Sequence, residues 1–272
     1  MKQKELLITH KRAIVSGNII ELFDYEKPVV KNYQGKNRGR ANQAFTNEET
    51  KKENRKKVTN RARLNVRRYA NANQDMRKFI TLTFAYNMTD IESANVCFNI
   101  FLTKLRKKYP TLKFIKVIEF QKRGAVHYHM LANIPYIKWD KFEKDYWPYG
   151  KIYIRRLDNN DNVGAYITKY MCKELDDRLK GYKSYSMSQN LTPPVVFEDE
   201  ESVEYLMANN ADNVKRVYES EFESEHYGLI QYKQIVLNSI AIKDKIDRNL
   251  YRIAKKHGIW LTPYKEDDPV PF

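Results

Sequence analysis

Between residues 76 and 180 the chain alternates between two hydrophobic periods. Phe79-Ile-Thr-Leu-Thr-Phe84 alternates apolar and polar positions and is rich in β-formers, which predicts a strand. Thr89-Asp-Ile-Glu92 then has the form of a capping box. Ile91, Ala94, Phe98, Phe101, Leu102 and Leu105 follow at helical spacing, so a helix is predicted that stops before Pro110. Phe114 to Phe120 and Ala125 to Asn133 read as two further strands, and Trp139 to Tyr146 as a short helix. Lys151 to Leu157 alternates as a fourth strand, and Asn162 to Lys180 carries the spacing of a second long helix.

The flanks carry weaker patterns. Residues 1–26 are expected to be partly structured around the apolar run Ile19-Ile-Glu-Leu-Phe23. Gly35-Lys-Asn-Arg-Gly-Arg40 reads as a flexible basic loop, and Glu48 to Tyr69 as a helix with basic residues on several faces. After Gly181, Thr192-Pro-Pro194 and the acidic run Glu198 to Ser202 suggest a linker or loop. Val214 to Glu223 and Leu229 to Leu237 suggest a hairpin around His226-Tyr-Gly228, and Ile240 to Lys256 a helix. The expected organisation is a basic N-terminal extension over 1–75, a catalytic core over 76–184, and a C-terminal extension over 185–272 that can pack on the core.

Charge narrows the partners. Lys and Arg number 49 against 34 Asp and Glu, a formal net charge of +15. Such an excess favours a polyanion, of which nucleic acid is the commonest. No apolar run is long enough to span a bilayer, so no membrane partner is expected. The start of the chain lacks a secretory apolar region. The two cysteines, Cys97 and Cys172, lie far apart and supply neither a disulfide framework nor a cysteine-based zinc site. A reducing cytoplasm is the simplest expected location.

Candidate chemistry sits in two short runs. In Glu119-Phe-Gln-Lys-Arg-Gly-Ala-Val-His127-Tyr-His129, the two histidines are two apart and share one face of a strand. Lys122-Arg-Gly124 fits a three-residue hairpin loop with Gly124 in the left-handed position. That register pairs Gln121 with Ala125, hence Glu119 with His127, so Glu119, His127 and His129 converge. Two imidazoles and a carboxylate suit Mg²⁺ or Mn²⁺ and leave coordination positions open. Nothing supplies a closed four-ligand set, which argues against structural zinc. His10, His226 and His257 have no partners in sequence and are left structural.

In the second run, Gly164-Ala-Tyr166-Ile-Thr-Lys169-Tyr170-Met-Cys-Lys173, Tyr166, Lys169, Tyr170 and Lys173 share an arc of about 100° on a helix. Ala165, Ile167, Met171, Cys172 and Leu175 lie opposite and should face the core. The tyrosines are therefore expected on the polar face. A phenol, with pKa about 10, is a weak nucleophile at neutral pH, and neighbouring ammonium groups favour its phenolate. Lys169 or Lys173 would contact a phosphate or assist proton transfer.

These three runs, in this order, resemble the motifs of the HUH endonuclease superfamily, specifically the two-tyrosine replication initiators of rolling-circle phages and plasmids. Phe79 to Phe84 is similar to the first, structural motif, His127-Tyr-His129 to the His-hydrophobe-His motif with Glu119 as third ligand, and Tyr166 to Tyr170 to the tyrosine motif. The resemblance covers about 79–173. It implies an α+β fold whose central antiparallel sheet of about five strands, ferredoxin-like, carries the metal ligands and is flanked by helices. It also implies nicking of one strand of origin DNA, with a 5′-phosphotyrosine and a free 3′-hydroxyl, and later rejoining. Single-stranded and origin DNA are the implied partners, with host polymerase. The chain shows no Gly-x-x-x-x-Gly-Lys-Ser/Thr loop, so unwinding is expected to need a host helicase. A relaxase or single-strand transposase of the same superfamily, or a non-catalytic DNA-binding protein, are the alternatives.

Overall fold

The computed structural model describes residues 6–31, 47–158, 162–171, 176–208 and 210–238. Its elements, in order, are β1 (Leu7–Ser16), β2 (Ile19–Lys31), α1 (Glu48–Ala72), β3 (Lys78–Phe84), α2 (Ile91–Lys108), β4 (Phe114–Phe120), β5 (Val126–Ala132), α3 (Trp139–Tyr146), β6 (Gly150–Arg156), α4 (Val163–Thr168), β7 (Tyr185–Met187), β8 (Val195–Phe197), α5 (Glu200–Ala208), β9 (Val214–Ser224) and β10 (Gly228–Leu237). The architecture is α+β, with two antiparallel sheets of five strands each. The chain divides into two compact units, Arg55–Thr192 and the segments on either side of it.

The central unit holds the sheet β6-β3-β5-β4-β7. Because strand residues alternate between faces, each face collects its own apolar set. On one face Ile80, Leu82, Ile118, Tyr128 and Met130 pack against α2 and α3 through Ala94, Phe98, Phe101, Leu105 and Phe142. All six apolar positions expected on the first helix are buried. The capping residue is Asp90 rather than Thr89: its carboxylate accepts from the backbone N–H groups of Glu92 and Ser93. On the other face Phe79, Ile115, Val117 and Leu131 pack beneath α1 and α4 through Val66, Ala70, Ile167 and Met171.

The helix expected over 162–180 is much shorter. α4 ends at Thr168, and Lys169, Tyr170 and Met171 continue it only as tight i→i−3 turns, through bonds to Tyr166 O, Ile167 O and Thr168 O. Thr168 Oγ1 donates to the carbonyls of Gly164 (2.9 Å) and Ala165 (3.2 Å), acceptors that a continuing helix shares with its backbone. Asp177–Leu179 is a separate single 3₁₀ turn.

The flanking segments build one sheet, β8-β1-β2-β10-β9. The N-terminal region is thus a regular hairpin reaching Lys31, closed at Gly17 (φ 65°), and more ordered than its composition suggests. The hairpin of β9 and β10 forms as predicted. The region read as a linker is not one: Val195–Phe197 pairs with β1, and the acidic run opens α5. Val203 and Leu206 of α5 then pack on Ala13, Val15, Ile20, Phe197 and Ile235. The basic loop at Gly35–Arg40 and the helix expected over 240–256 lie outside the described residues.

Candidate active site

Alternation on β4 and β5 decides which side chains meet. Gln121 N–H donates to Ala125 O (2.9 Å), Gly124 N–H to Gln121 O (2.8 Å), and Gly124 takes φ 88°. The hairpin therefore has the expected register, with Glu119 opposite His127 and Val117 opposite His129. Glu119 Oε2 lies 2.7 Å from His129 Nε2 and 3.6 Å from His127 Nδ1. The ligand-capable atoms of the three residues all fall within 4.8 Å of one another, so the group can hold a metal ion. His129 is buried, His127 half-buried, and the Glu119 side chain is 39% exposed, which leaves the cluster open on the carboxylate side.

The remaining ring nitrogens are also held. Thr81 Oγ1 is 3.1 Å from His129 Nδ1, and Thr83 Oγ1 is 2.6 Å from His127 Nε2. These threonines come from β3, which pairs with β5 so that Thr81 faces His129 and Thr83 faces His127. Such outer partners fix ring orientation and tautomer, and so prepare an imidazole as a ligand. The sequence reading treats this strand only as structural. The signal it passes over is the Thr-x-Thr spacing, which matches His-x-His.

Electrostatics favour the ligating forms. Hydrogen bonds from His127 and His129 hold the Glu119 carboxyl down to about 2. Burial pushes the His129 imidazolium down, outweighing the opposite pull of Glu119, so the ring is neutral at pH 7.

The tyrosines reach the same cluster from α4. Asn162 caps that helix through Ala165 N–H (2.8 Å). Asn71 of α1 pins it, donating to Asn162 Oδ1 (3.0 Å) and accepting from Gly164 N–H (2.8 Å). Gly164 rests directly on α1, where a Cβ would stand 2.1 Å from Arg67 O. So anchored, the Tyr170 ring lies 4.0 Å from the His129 ring, centroid to centroid. Phe79 stacks on His129 (5.5 Å) and contacts both tyrosine rings, at 5.0 Å for Tyr166 and 5.1 Å for Tyr170. Tyr170 Oη donates to Tyr166 Oη at 3.2 Å.

Two expectations need correction. The tyrosines do not sit on a free polar face: both are half-buried and pack on the apolar cluster of the sheet. Nor do ammonium groups ease ionisation of Tyr170. Burial, then the Tyr166 hydroxyl and Glu119, push its phenol up to about 12, and Arg155 opposes them only in part. Lys169 is exposed with Nζ 5.7 Å from the Tyr166 ring centroid, and Lys173 lies outside the described residues. His10 Nδ1 is within 2.9 Å of Tyr25 O, a backbone contact without other titratable ligands.

Residues 77–175, the stretch that contains every one of these groups, match a family model for replication-associated proteins of the ORF2 type. Over this stretch the chain is similar to replication-associated proteins. The phasyl DNA replicon protein Arp of Escherichia coli is 26% identical over a region covering 39% of this chain and 46% of that protein. The chain thus matches about half the length of that curated relative. No solved structure matches.

Proposed function

We propose that this protein initiates DNA replication by nicking one strand at an origin through a tyrosine nucleophile, with later strand transfer, in the manner of the two-tyrosine HUH endonucleases. The supporting observation is the contact between Tyr170 and His129, which puts a phenol beside a His-His-Glu cluster that can hold a cation. The family match and the replicon protein support the biological setting.

Glu119, His127 and His129 would hold Mg²⁺ or Mn²⁺, which when bound polarises the scissile phosphate and stabilises developing negative charge. The protein's own groups do the rest. Tyr170 or Tyr166 oxygen forms a bond to phosphorus, the bond from phosphorus to the 3′-oxygen breaks, and the phenolic proton leaves as the 3′-oxygen gains one. The 5′-phosphotyrosyl link conserves the energy of the broken bond, so reversal needs no ATP. The hydrogen bond between the two hydroxyls lets one tyrosine accept a proton or position the other. Lys169 is the described lysine placed to meet a phosphate beside Tyr166. The excess positive charge favours binding to DNA, on which we place a host polymerase and helicase in the cytoplasm. No helix among the described residues is long and apolar enough to cross a membrane.

The test is adduct formation on single-stranded oligonucleotides tiled across the replicon that encodes the protein, with Mn²⁺ present. A covalent complex on the 5′-phosphate side is expected, absent in His129→Ala and in Tyr166→Phe/Tyr170→Phe. An adduct that survives the double tyrosine change refutes the nucleophile assignment.

A further inference from the structure

The metal-side face of the central sheet extends past the histidines to its edge. β3 lies between β5 and β6, pairing Thr81 with His129 on one side and with Tyr153 on the other. Thr83 likewise stands between His127 and Lys151, and Phe79 between Leu131 and Arg155. Lys151, Tyr153 and Arg155 therefore share the face of the metal cluster, while Ile152 and Ile154 turn to the opposite core. With strands about 4.8 Å apart, the backbone of Tyr153 is about 10 Å from that of His129.

All three side chains are exposed, and Tyr153 keeps 62% of its surface free. That is unusual for a tyrosine in the middle of a strand paired to a buried neighbour. Its ring makes no described aromatic contact, whereas Tyr166, Tyr170 and Tyr185 of the same face are packed. Lys151 Nζ has only a loose approach to Glu143 (3.7 Å), and its side chain is 81% exposed. A free ring between two cations at alternate positions is the pattern that holds an unpaired nucleic-acid strand: the ring stacks on a base and the cations meet flanking phosphates.

We infer that Lys151, Tyr153 and Arg155 on the edge strand form a track for single-stranded DNA, with Tyr153 stacking a base one or two nucleotides from the phosphate at the metal cluster. This deepens the nicking proposal and rests on it for the choice of DNA. Duplex DNA fits poorly, because its bases offer no free face to the ring.

The track is tested by equilibrium binding without metal, so that no cleavage intervenes. The probes are a fluorescein-labelled twelve-nucleotide thymidylate strand, a twelve-residue abasic strand with the same backbone, and a duplex of the same length. Wild-type protein should prefer the thymidylate strand to the abasic strand. Tyr153→Ala should abolish that preference, a loss of roughly 5- to 150-fold for one stacked base, and Tyr153→Phe should keep it. Lys151→Ala and Arg155→Ala should each weaken both single strands and lower the slope of log K against log salt by about 0.7. An unchanged preference in Tyr153→Ala, equal Tyr153 dependence on the duplex, or unchanged salt slopes overturns the track. Adduct formation is scored separately: loss of the track with adduct intact refutes this inference alone. A Tyr153-dependent preference without any adduct in wild type supports the track and refutes the nicking reading.

Discussion

Gly164 is the position where placement of the tyrosines can be disturbed without touching them. A Cβ at residue 164 would meet Arg67 O at 2.1 Å, Arg67 Cα at 2.7 Å and Arg67 C at 2.8 Å. All three are backbone atoms of α1, so no side chain can swing away. Ordinary contact begins near 3.4 Å, and Gly164→Ala must therefore push α4 from α1 by about 1.3 Å. Overpacking of this kind costs about 1–3 kcal/mol, from which roughly 1 kcal/mol is offset by the better helix propensity of alanine. The expected fall in melting temperature is a few degrees. The chemistry should suffer more, because a displacement of about 1 Å at a reacting group can cost about 100-fold in rate. Gly181→Ala is the control: it has φ 83° with nothing within 4 Å of its Cβ position, so it strains the backbone at a cost of about 1–2 kcal/mol but moves no tyrosine. Adduct rate and melting temperature are measured for both. A Gly164→Ala protein that forms adduct at the wild-type rate, or a Gly181→Ala protein that loses it equally, would falsify the view that the close contact of α1 and α4 positions Tyr166 and Tyr170.

Three further outcomes are expected. Mn²⁺ at about 100 times its dissociation constant should stabilise the protein by roughly 2.7 kcal/mol, and His129→Ala should abolish that rise in melting temperature. Glu119 and His129 are both held below their ordinary pKa values, so each contributes stability that is present above the ordinary value and lost as pH falls. Without metal, the melting temperature should decline as pH falls below about 6.5, and Glu119→Gln should flatten the part below about 4.5; a curve parallel to wild type there rules out the carboxylate as its source. On the opposite face of the sheet, buried Lys116 donates to Asn95 Oδ1 (3.2 Å) and lies 4.8 Å from the centroid of the Tyr128 ring, with its pKa pushed down to about 8 by burial. The charged form bears a penalty of roughly 3 kcal/mol, so Lys116→Met should stabilise the protein at pH 7 and remove a rise in stability between pH 8 and about 10.5, read by urea denaturation at each pH.

The sheet that carries the ligands is readable because each strand buries one face or both between helices, and alternation then fixes which residues share a side. Glu119, His127 and His129 follow from a three-residue loop with one glycine in a left-handed conformation. The tyrosine helix is less legible for a definite reason. A helical wheel assumes one buried side, but α4 lies between α1, reached through Gly164, and the sheet, reached through Phe79, so its tyrosine side is covered as well. Periodicity also cannot register that Thr168 bonds back to the carbonyls of Gly164 and Ala165, tightening the next turn. Composition alone misleads at the acidic run over 198–202. Asp199 accepts from Ser202 N–H (2.7 Å), and Glu200 and Glu201 stand in the first turn of α5, where a helix dipole favours negative charge. Arg155 and Tyr153 escape a linear reading because their role depends on a pairing across β3 that connects segments distant in sequence.

The burial of Tyr170 has a kinetic consequence. A phenol held at about 12 is ionised in roughly one molecule in 10⁵ at pH 7, and the nearest carboxylate, Glu119, adds to that suppression. A divalent cation bound by Glu119, His127 and His129 would reverse the sign of this local field. Metal-free protein should therefore show, at most, a slow adduct whose rate climbs about tenfold for each pH unit between about 7 and 10, in step with the phenolate fraction. Protein with Mn²⁺ should react faster at pH 7 and respond less steeply. Tyr166→Phe removes one group that raises the Tyr170 phenol, so if Tyr170 attacks, the metal-free profile of this variant should move to lower pH. Single-turnover adduct rates across pH, with and without Mn²⁺, separate the cases. Parallel profiles in the two conditions would mean that the cation acts on the phosphate alone and leaves the phenol as the fold holds it.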